Sequence, residues 1–123
     1  MTKRDPLAYI EDILQYAEKA FTFAKGLDEQ AFLADERTSF AVIRCFEVIG
    51  EAANRVPKEL QDRFSEIPWP KVVSFRNFLI HEYLGVSLQR VWASLNSDLP
   101  NTLPAFKKML ETLQEEEKNR GHQ

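Results

Sequence analysis

A chain of 123 residues has room for one domain with its own core and not for two. Its residues are 44% hydrophobic, 28% charged and 11% aromatic with a formal charge of −3, which suits a soluble globular protein and excludes one coated in nucleic acid, while leaving room for a local basic site. The longest run free of Asp, Glu, Lys and Arg is Leu99–Phe106, far short of the roughly 20 apolar residues that a membrane-spanning helix needs. No apolar stretch follows Lys3 and Arg4 to make a secretory signal, so a cytoplasmic protein with no membrane partner is expected.

Apolar residues recur with helical spacing almost throughout, nothing reads as a strand, and no repeat or linker divides the chain. One helical domain over residues 1–114 is expected, followed by a charged tail, 115–123, that frays. Asp5 as N-cap with Pro6 behind it starts a first helix, and Gly26 stops it. Two apolar stripes run along this helix. One is Leu7, Ile10, Leu14, Ala17 and Phe21; the other is Tyr9, Ile13, Tyr16, Ala20 and Phe23. Two stripes predict two partners, the bundle on one side and a second subunit on the other.

A short turn of helix over 28–33 leads into a long helix over 35–55, ended by Val56 and Pro57. Its core stripe is Val42, Cys45, Phe46, Ile49, Ala53 and Val56. Cys45 is the single cysteine, which excludes an internal disulfide framework and fits a reducing compartment; in this stripe it reads as a small core residue rather than a nucleophile. The other side carries Arg44, Glu47, Glu51 and Asn54, a solvated face with a Glu51–Arg55 pair. After a short helix over 59–64 and the turn Ile67–Pro70, Pro70 opens a helix that includes Val72–Ile80. The last stripe, from Leu88 and Trp92 through Leu99 and Phe106 to Leu113, keeps its register across Pro100 and Pro104 and predicts one long kinked helix. The fold class is an all-α bundle of four to five helices.

Residues 72–83 stand apart on a helical wheel. Val72, Val73, Phe75, Phe78, Leu79 and Ile80 cover most of the circumference, as in a helix buried on nearly all sides. Ser74, Asn77 and His81 fall on one stripe at i, i+3 and i+7, and Arg76 and Tyr83 share a second line. Burying such groups is costly unless they are paired, arginine most of all. The helix therefore holds a site, or it encloses an Arg–Glu pair and a core histidine bonded to backbone carbonyls. Residues 71–92 carry a local +2 in a chain otherwise at −5, a setting for an anionic ligand. His81 and the tail residue His122 are the only histidines, too few for a metal cluster. Arg76 and His81 are five apart, about 140° out of phase on a straight helix. They meet if the helix ends near His81, where Gly85 and a candidate N-cap, Ser87, follow, or between two copies of the helix. Both the second arrangement and the two-sided first helix predict a dimer.

Arg76-Asn77-Phe78-Leu79-Ile80-His81-Glu82-Tyr83 matches the pattern R-x4-H-x-Y. With it come Ile49-Gly50-Glu51-Ala52-Ala53-Asn54, Ile67-Pro68-Trp69, Gly85-Val86, and Trp92 ahead of Asp98-Leu99-Pro100. In this ordered set, which covers most of the chain, the sequence resembles the HepT toxins, a branch of the HEPN superfamily of all-α ribonucleases. The resemblance implies a homodimeric HEPN-type bundle that cleaves RNA without metal or other cofactor, with two motifs facing each other at the dimer interface. It implies Arg76 and His81 as the catalytic pair, Asn77 as support, and Tyr83 as the acceptor of AMP from an MntA-like nucleotidyltransferase antitoxin. That enzyme would be the other half of a type VII-like toxin–antitoxin pair. Glu51 joins the candidates from the residues themselves, as a carboxylate that orients Arg76 across the bundle.

The chemistry is self-consistent. RNA carries its own nucleophile, the 2′-hydroxyl, so cleavage needs a base, an acid and charge stabilisation at phosphorus. A histidine with a pKa of about 6.5 exchanges protons at neutral pH, and an arginine fork binds phosphate and the added transition-state charge. Two alternatives stay open. Tyr83, taken alone, also reads as an amphipathic aromatic at a helix end. The whole motif also suits a non-catalytic dimeric module that binds a nucleotidyltransferase or a nucleotide; cleavage needs a titrating group at His81, whereas anion binding tolerates Asn or Gln there.

Overall fold

Aspartates start each of the first three helices. Asp5 accepts from the Leu7 N–H at 2.9 Å ahead of α1 (Pro6–Ala24), Asp28 from the Ala31 N–H at 2.9 Å ahead of α2 (Glu29–Ala34), and Asp35 from the Thr38 N–H at 3.0 Å ahead of α3 (Glu36–Arg55). Gly26, at φ +83°, lets the chain leave α1 through the left-handed region. Pro57 holds Val56 in extended geometry and ends α3, and the Gln61 side-chain amide donates to the carbonyls of Ala53 and Val56 that the helix leaves over. Then follow α4 (Lys58–Arg63), α5 (Trp69–Ser74), α6 (Phe78–Tyr83), α7 (Leu88–Ala93) and α8 (Leu99–Arg120).

The computed structural model describes residues 4–83 and 87–121, and for residues 81–83 the backbone alone. A 3₁₀ turn, Phe75–Asn77, joins α5 to α6, and a π turn, Ser94–Asp98, joins α7 to α8. The described chain thus forms six helical rods and no strand. That exceeds the count of four to five helices, while the short segments expected over 28–33 and 59–64 both close as helices of six residues, one capped by Asp28 and the other tied down by Gln61. The π turn lies directly before Pro100, whose ring offers no N–H to the preceding turn; the wider turn absorbs the misfit, so one apolar register runs through both prolines. Residues 115–120, read from the sequence as part of a fraying tail, continue α8 to Arg120, and Glu116 pairs with Arg63 of α4. No helix among the described residues is long and apolar enough to cross a membrane.

α3 is the central rod, touching α1, α2, α5, α6 and α7. Its expected stripe, Val42, Cys45, Phe46, Ile49, Ala53 and Val56, is buried throughout. Two expectations change. The packed line of α1 is Ile10, Ile13, Ala17, Ala20 and Ala24, which runs between the two stripes read from the sequence; Leu7, Tyr9, Leu14, Tyr16 and Phe21 flank it half-buried. One broad face packs against α3 and α8, and of the second expected stripe only Phe23 stays 46% exposed. The motif rod, likewise, is not enclosed on nearly all sides. Val72 and Phe75 are buried, but Leu79 and Ile80 are 42% and 57% exposed. Uniform hydrophobicity on a wheel cannot separate burial from an apolar surface.

Candidate active site

The site begins with how closely two rods approach. Val72 and Phe75 anchor the motif rod in the core, and Trp69 fixes its start by donating its indole N–H to the Phe64 carbonyl at 3.1 Å. Phe46 of α3 meets Phe75 and Phe78 edge-on, with ring centroids 4.9 and 5.1 Å away, and so supports the 3₁₀ turn from beneath. One turn further along α3 stands Gly50. A Cβ there would lie 2.4 Å from the Arg76 nitrogen and 2.8 Å from the Val73 carbonyl oxygen, so the rods touch backbone to backbone. Glycine within a helix costs about 1 kcal/mol against alanine. Here it makes the space in which the 3₁₀ turn lies on α3.

That contact carries Arg76 to the residue after the glycine. Arg76 Nη1 lies 3.3 Å from Glu51 Oε2, while Glu51 Oε1 accepts from Arg55 Nε at 3.2 Å. One carboxylate thus holds two arginines, one oxygen for each. The side chains of Arg76 and Glu51 are 38% and 46% exposed, so the arginine is not buried as the sequence suggested; an arriving anion can reach it. A cleft of about 360 Å³ between α1 and α3, walled by Tyr9, Val48, Glu51 and Arg55 among others, lies on the Arg55 side of Glu51, and Arg76 does not line it.

Of the residues picked out in the sequence, Arg76 and Glu51 come together, and Asn77 follows Arg76 half-buried at the end of the 3₁₀ turn. Ser74 donates its hydroxyl to the Lys71 carbonyl of its own helix. His81 and Tyr83 belong to α6, but their side chains lie outside the described residues, as does Gly85. Ser87, the expected N-cap, does cap α7 by accepting from the Gln89 N–H at 3.0 Å. Cys45 is buried, and burial pushes its thiol pKa up; it stays protonated at neutral pH, as befits a core residue.

The local excess of positive charge shrinks in three dimensions. Lys71 pairs with Asp98 of the π turn at 3.0 Å and Arg76 with Glu51, so carboxylates from outside residues 71–92 offset two of its cations. What stays available is directional: a guanidinium fork, half-exposed and fixed from behind by a carboxylate, suited to phosphate. Sequence reasoning missed two members of the site. Gly50 was legible as a mid-helix glycine within the Ile49–Asn54 stretch that the resemblance includes, with no sign of what it made room for. Arg55 read as an ordinary i,i+4 partner of Glu51, because nothing local shows that Glu51 is shared.

Residues 13–113 match the family model described as ribonuclease HepT-like. A protein of Methanocaldococcus jannaschii, provisionally named an RNase, is 36% identical over 115 residues, covering 94% of this chain and 99% of the relative. A Thermococcus cleftensis protein named a probable ribonuclease HepT is 36% identical over 107 residues, covering 87% and 97%. A third relative, from Caldanaerobacter subterraneus and again provisionally named an RNase, is 34% identical over 108 residues, covering 88% and 96%. No solved structure matches.

Proposed function

The chain belongs to the ribonuclease HepT-like family, and from that premise we propose that it is the toxin of a two-component pair, a metal-independent endoribonuclease acting in the cytoplasm as a homodimer. The observation that carries this reading is the half-exposed Arg76 guanidinium, held by Glu51 at the head of the short helix that also contains His81. His81 takes the proton of the 2′-hydroxyl. The freed oxygen attacks the adjacent phosphorus, and Arg76 stabilises the phosphorane as negative charge builds on its oxygens. The P–O5′ bond breaks, leaving a 2′,3′-cyclic phosphate and a 5′-hydroxyl. His81 of the partner subunit is the candidate acid that protonates the leaving oxygen. Asn77 supports the site from the position beside Arg76, and Glu51 keeps the arginine from folding away.

Two further parts belong to the same reading. The exposed Leu79 and Ile80 offer an apolar surface on α6 for a second copy, which would set two motifs face to face. AMP added to Tyr83 by an MntA-like nucleotidyltransferase places an anion and a bulky group near Arg76, countering the charge that binds RNA. The test is cleavage of RNA pools by protein shown by mass spectrometry to be unmodified at Tyr83, with and without EDTA, mapping the new ends. Cyclic phosphate ends, indifference to EDTA, loss of cutting in His81→Ala and a rate about 100-fold lower in Arg76→Lys are the expected results. A wild type that cuts none of the pools would hand the site to the non-catalytic reading, a dimeric module for a nucleotidyltransferase or a nucleotide.

A further inference from the structure

We propose that Arg55 is a positioning residue for Arg76 and acts on it through Glu51; the inference rests on the ribonuclease reading above. Its basis is the division of one carboxylate between two arginines. Arg55 Nε donates to Glu51 Oε1 at 3.2 Å, and Arg76 Nη1 donates to Oε2 at 3.3 Å. Elsewhere arginines and carboxylates pair one to one: Arg4 with Asp12 at 2.9 Å, Arg44 with Glu47 at 2.6 Å, and Arg63 with Glu116. Among the described residues, Glu51 is the one carboxylate within ion-pair distance of two arginines.

The division has two consequences for Arg76. The first is charge. Arg76 and Glu51 alone sum to zero, and an anion drawn to the guanidinium would meet a carboxylate 3.3 Å from it. Arg55 offsets that carboxylate, so the three groups together carry +1, which one phosphodiester at Arg76 neutralises. The second is geometry. A glutamate held by Arg76 alone would follow the arginine as it swings. Arg55 stands one turn further along α3 and holds Oε1 from the same helix, so Oε2 meets Arg76 from a fixed place. Arg55 and Glu51 are 59% and 46% exposed, and a pair so open to water adds little to folding. Its effect falls instead on Arg76, whose field matters most as charge builds on the phosphorane. Arg55 faces the cleft between α1 and α3, which Arg76 does not line, so it works from behind the carboxylate and not on the reacting atoms.

The test is a double-mutant cycle on cleavage of an RNA whose cut site has been mapped, with every variant shown to be folded by its far-UV spectrum. Arg55→Gln is expected to lower kcat roughly three- to tenfold, with KM changed less. Glu51→Gln lowers kcat as well, and adding Arg55→Gln to it costs nothing further, because the carboxylate through which Arg55 acts is gone. Arg55→Lys keeps a cation within reach of Glu51 and restores most of the rate. Arg44→Gln, which breaks the pair with Glu47 on the same helix, cuts at the wild-type rate. Additive losses in the double variant overturn the proposal, since Arg55 would then act independently of Glu51. So do a wild-type kcat in Arg55→Gln, an equal loss in Arg44→Gln, and an Arg55→Lys as slow as Arg55→Gln. A wild type that cuts no RNA removes the ribonuclease reading and this inference with it; one that cuts while Arg55→Gln matches it removes this inference alone.

Discussion

A methyl group at position 50 would meet the Arg76 backbone nitrogen at 2.4 Å and a carbonyl oxygen at 2.8 Å, and backbone cannot rotate out of the way. Gly50→Ala gains about 1 kcal/mol of helix propensity and loses more to overpacking, which costs about 1–3 kcal/mol for one inserted methylene even among flexible side chains. The expected outcome is a net loss near 2 kcal/mol by urea unfolding, with RNA cleavage falling further than stability accounts for, because the strain moves the 3₁₀ turn that carries Arg76. Gly26→Ala makes the contrast. Its Cβ would meet nothing within 4 Å, yet φ is +83°, so stability falls by about 1 kcal/mol while cleavage holds. Equal losses of cleavage in the two variants would show that Gly50 has no special tie to the site.

At the scale of an element, α3 positions the site and is itself fixed at both ends. Asp35 caps its start by accepting from the Thr38 N–H at 3.0 Å and from the Thr38 hydroxyl at 2.8 Å. Those bonds, the backbone one foremost, hold its carboxyl below the ordinary aspartate pKa. A lowered folded-state pKa stabilises the fold at pH values above the unfolded pKa of about 3.9, and that contribution is lost as pH falls from there through the folded value. Asp35→Asn keeps a capping oxygen and removes the titration. Unfolding midpoints followed from pH 6 down to pH 2 should therefore show a shallower acid limb in the variant; an identical limb would mean that Asp35 contributes nothing to it. Glu116, lowered by its bond to Arg63, acts in the same direction and persists in the variant, so the limb flattens without vanishing.

For the whole molecule, the test is assembly. The two-sided first helix argues less strongly for a dimer, since its apolar residues other than Phe23, which is 46% exposed, face one broad interior surface. The argument moves to α6, where Ile80 is 57% and Leu79 42% exposed in the middle of the motif. Ile80→Glu puts a charge on that surface at no cost to the core. Sedimentation is expected to show a dimeric wild type and a monomeric variant, with the variant's far-UV spectrum unchanged and its cleavage lost. A variant that stays dimeric would place the interface elsewhere.

The all-helical class, the starts of the first three helices and the core stripe of α3 were legible in the sequence because they rest on local rules: capping aspartates, prolines at turns, and a period of 3.6 residues. The ordered motif, Arg76 within it, and the family were legible for the same reason, being set by residues in order along the chain. Tertiary structure alone decided what lay opposite what. It turned two stripes on α1 into one interior face, exposed half of a rod that looked wholly buried, and set Lys71 against Asp98. It also gave Gly50 and Arg55 their meaning, since a missing side chain and a shared carboxylate are visible only once Arg76, 25 positions beyond Glu51, has folded back onto α3. Periodicity reports which face of a helix is apolar; the partner on that face depends on contacts between residues far apart in the chain.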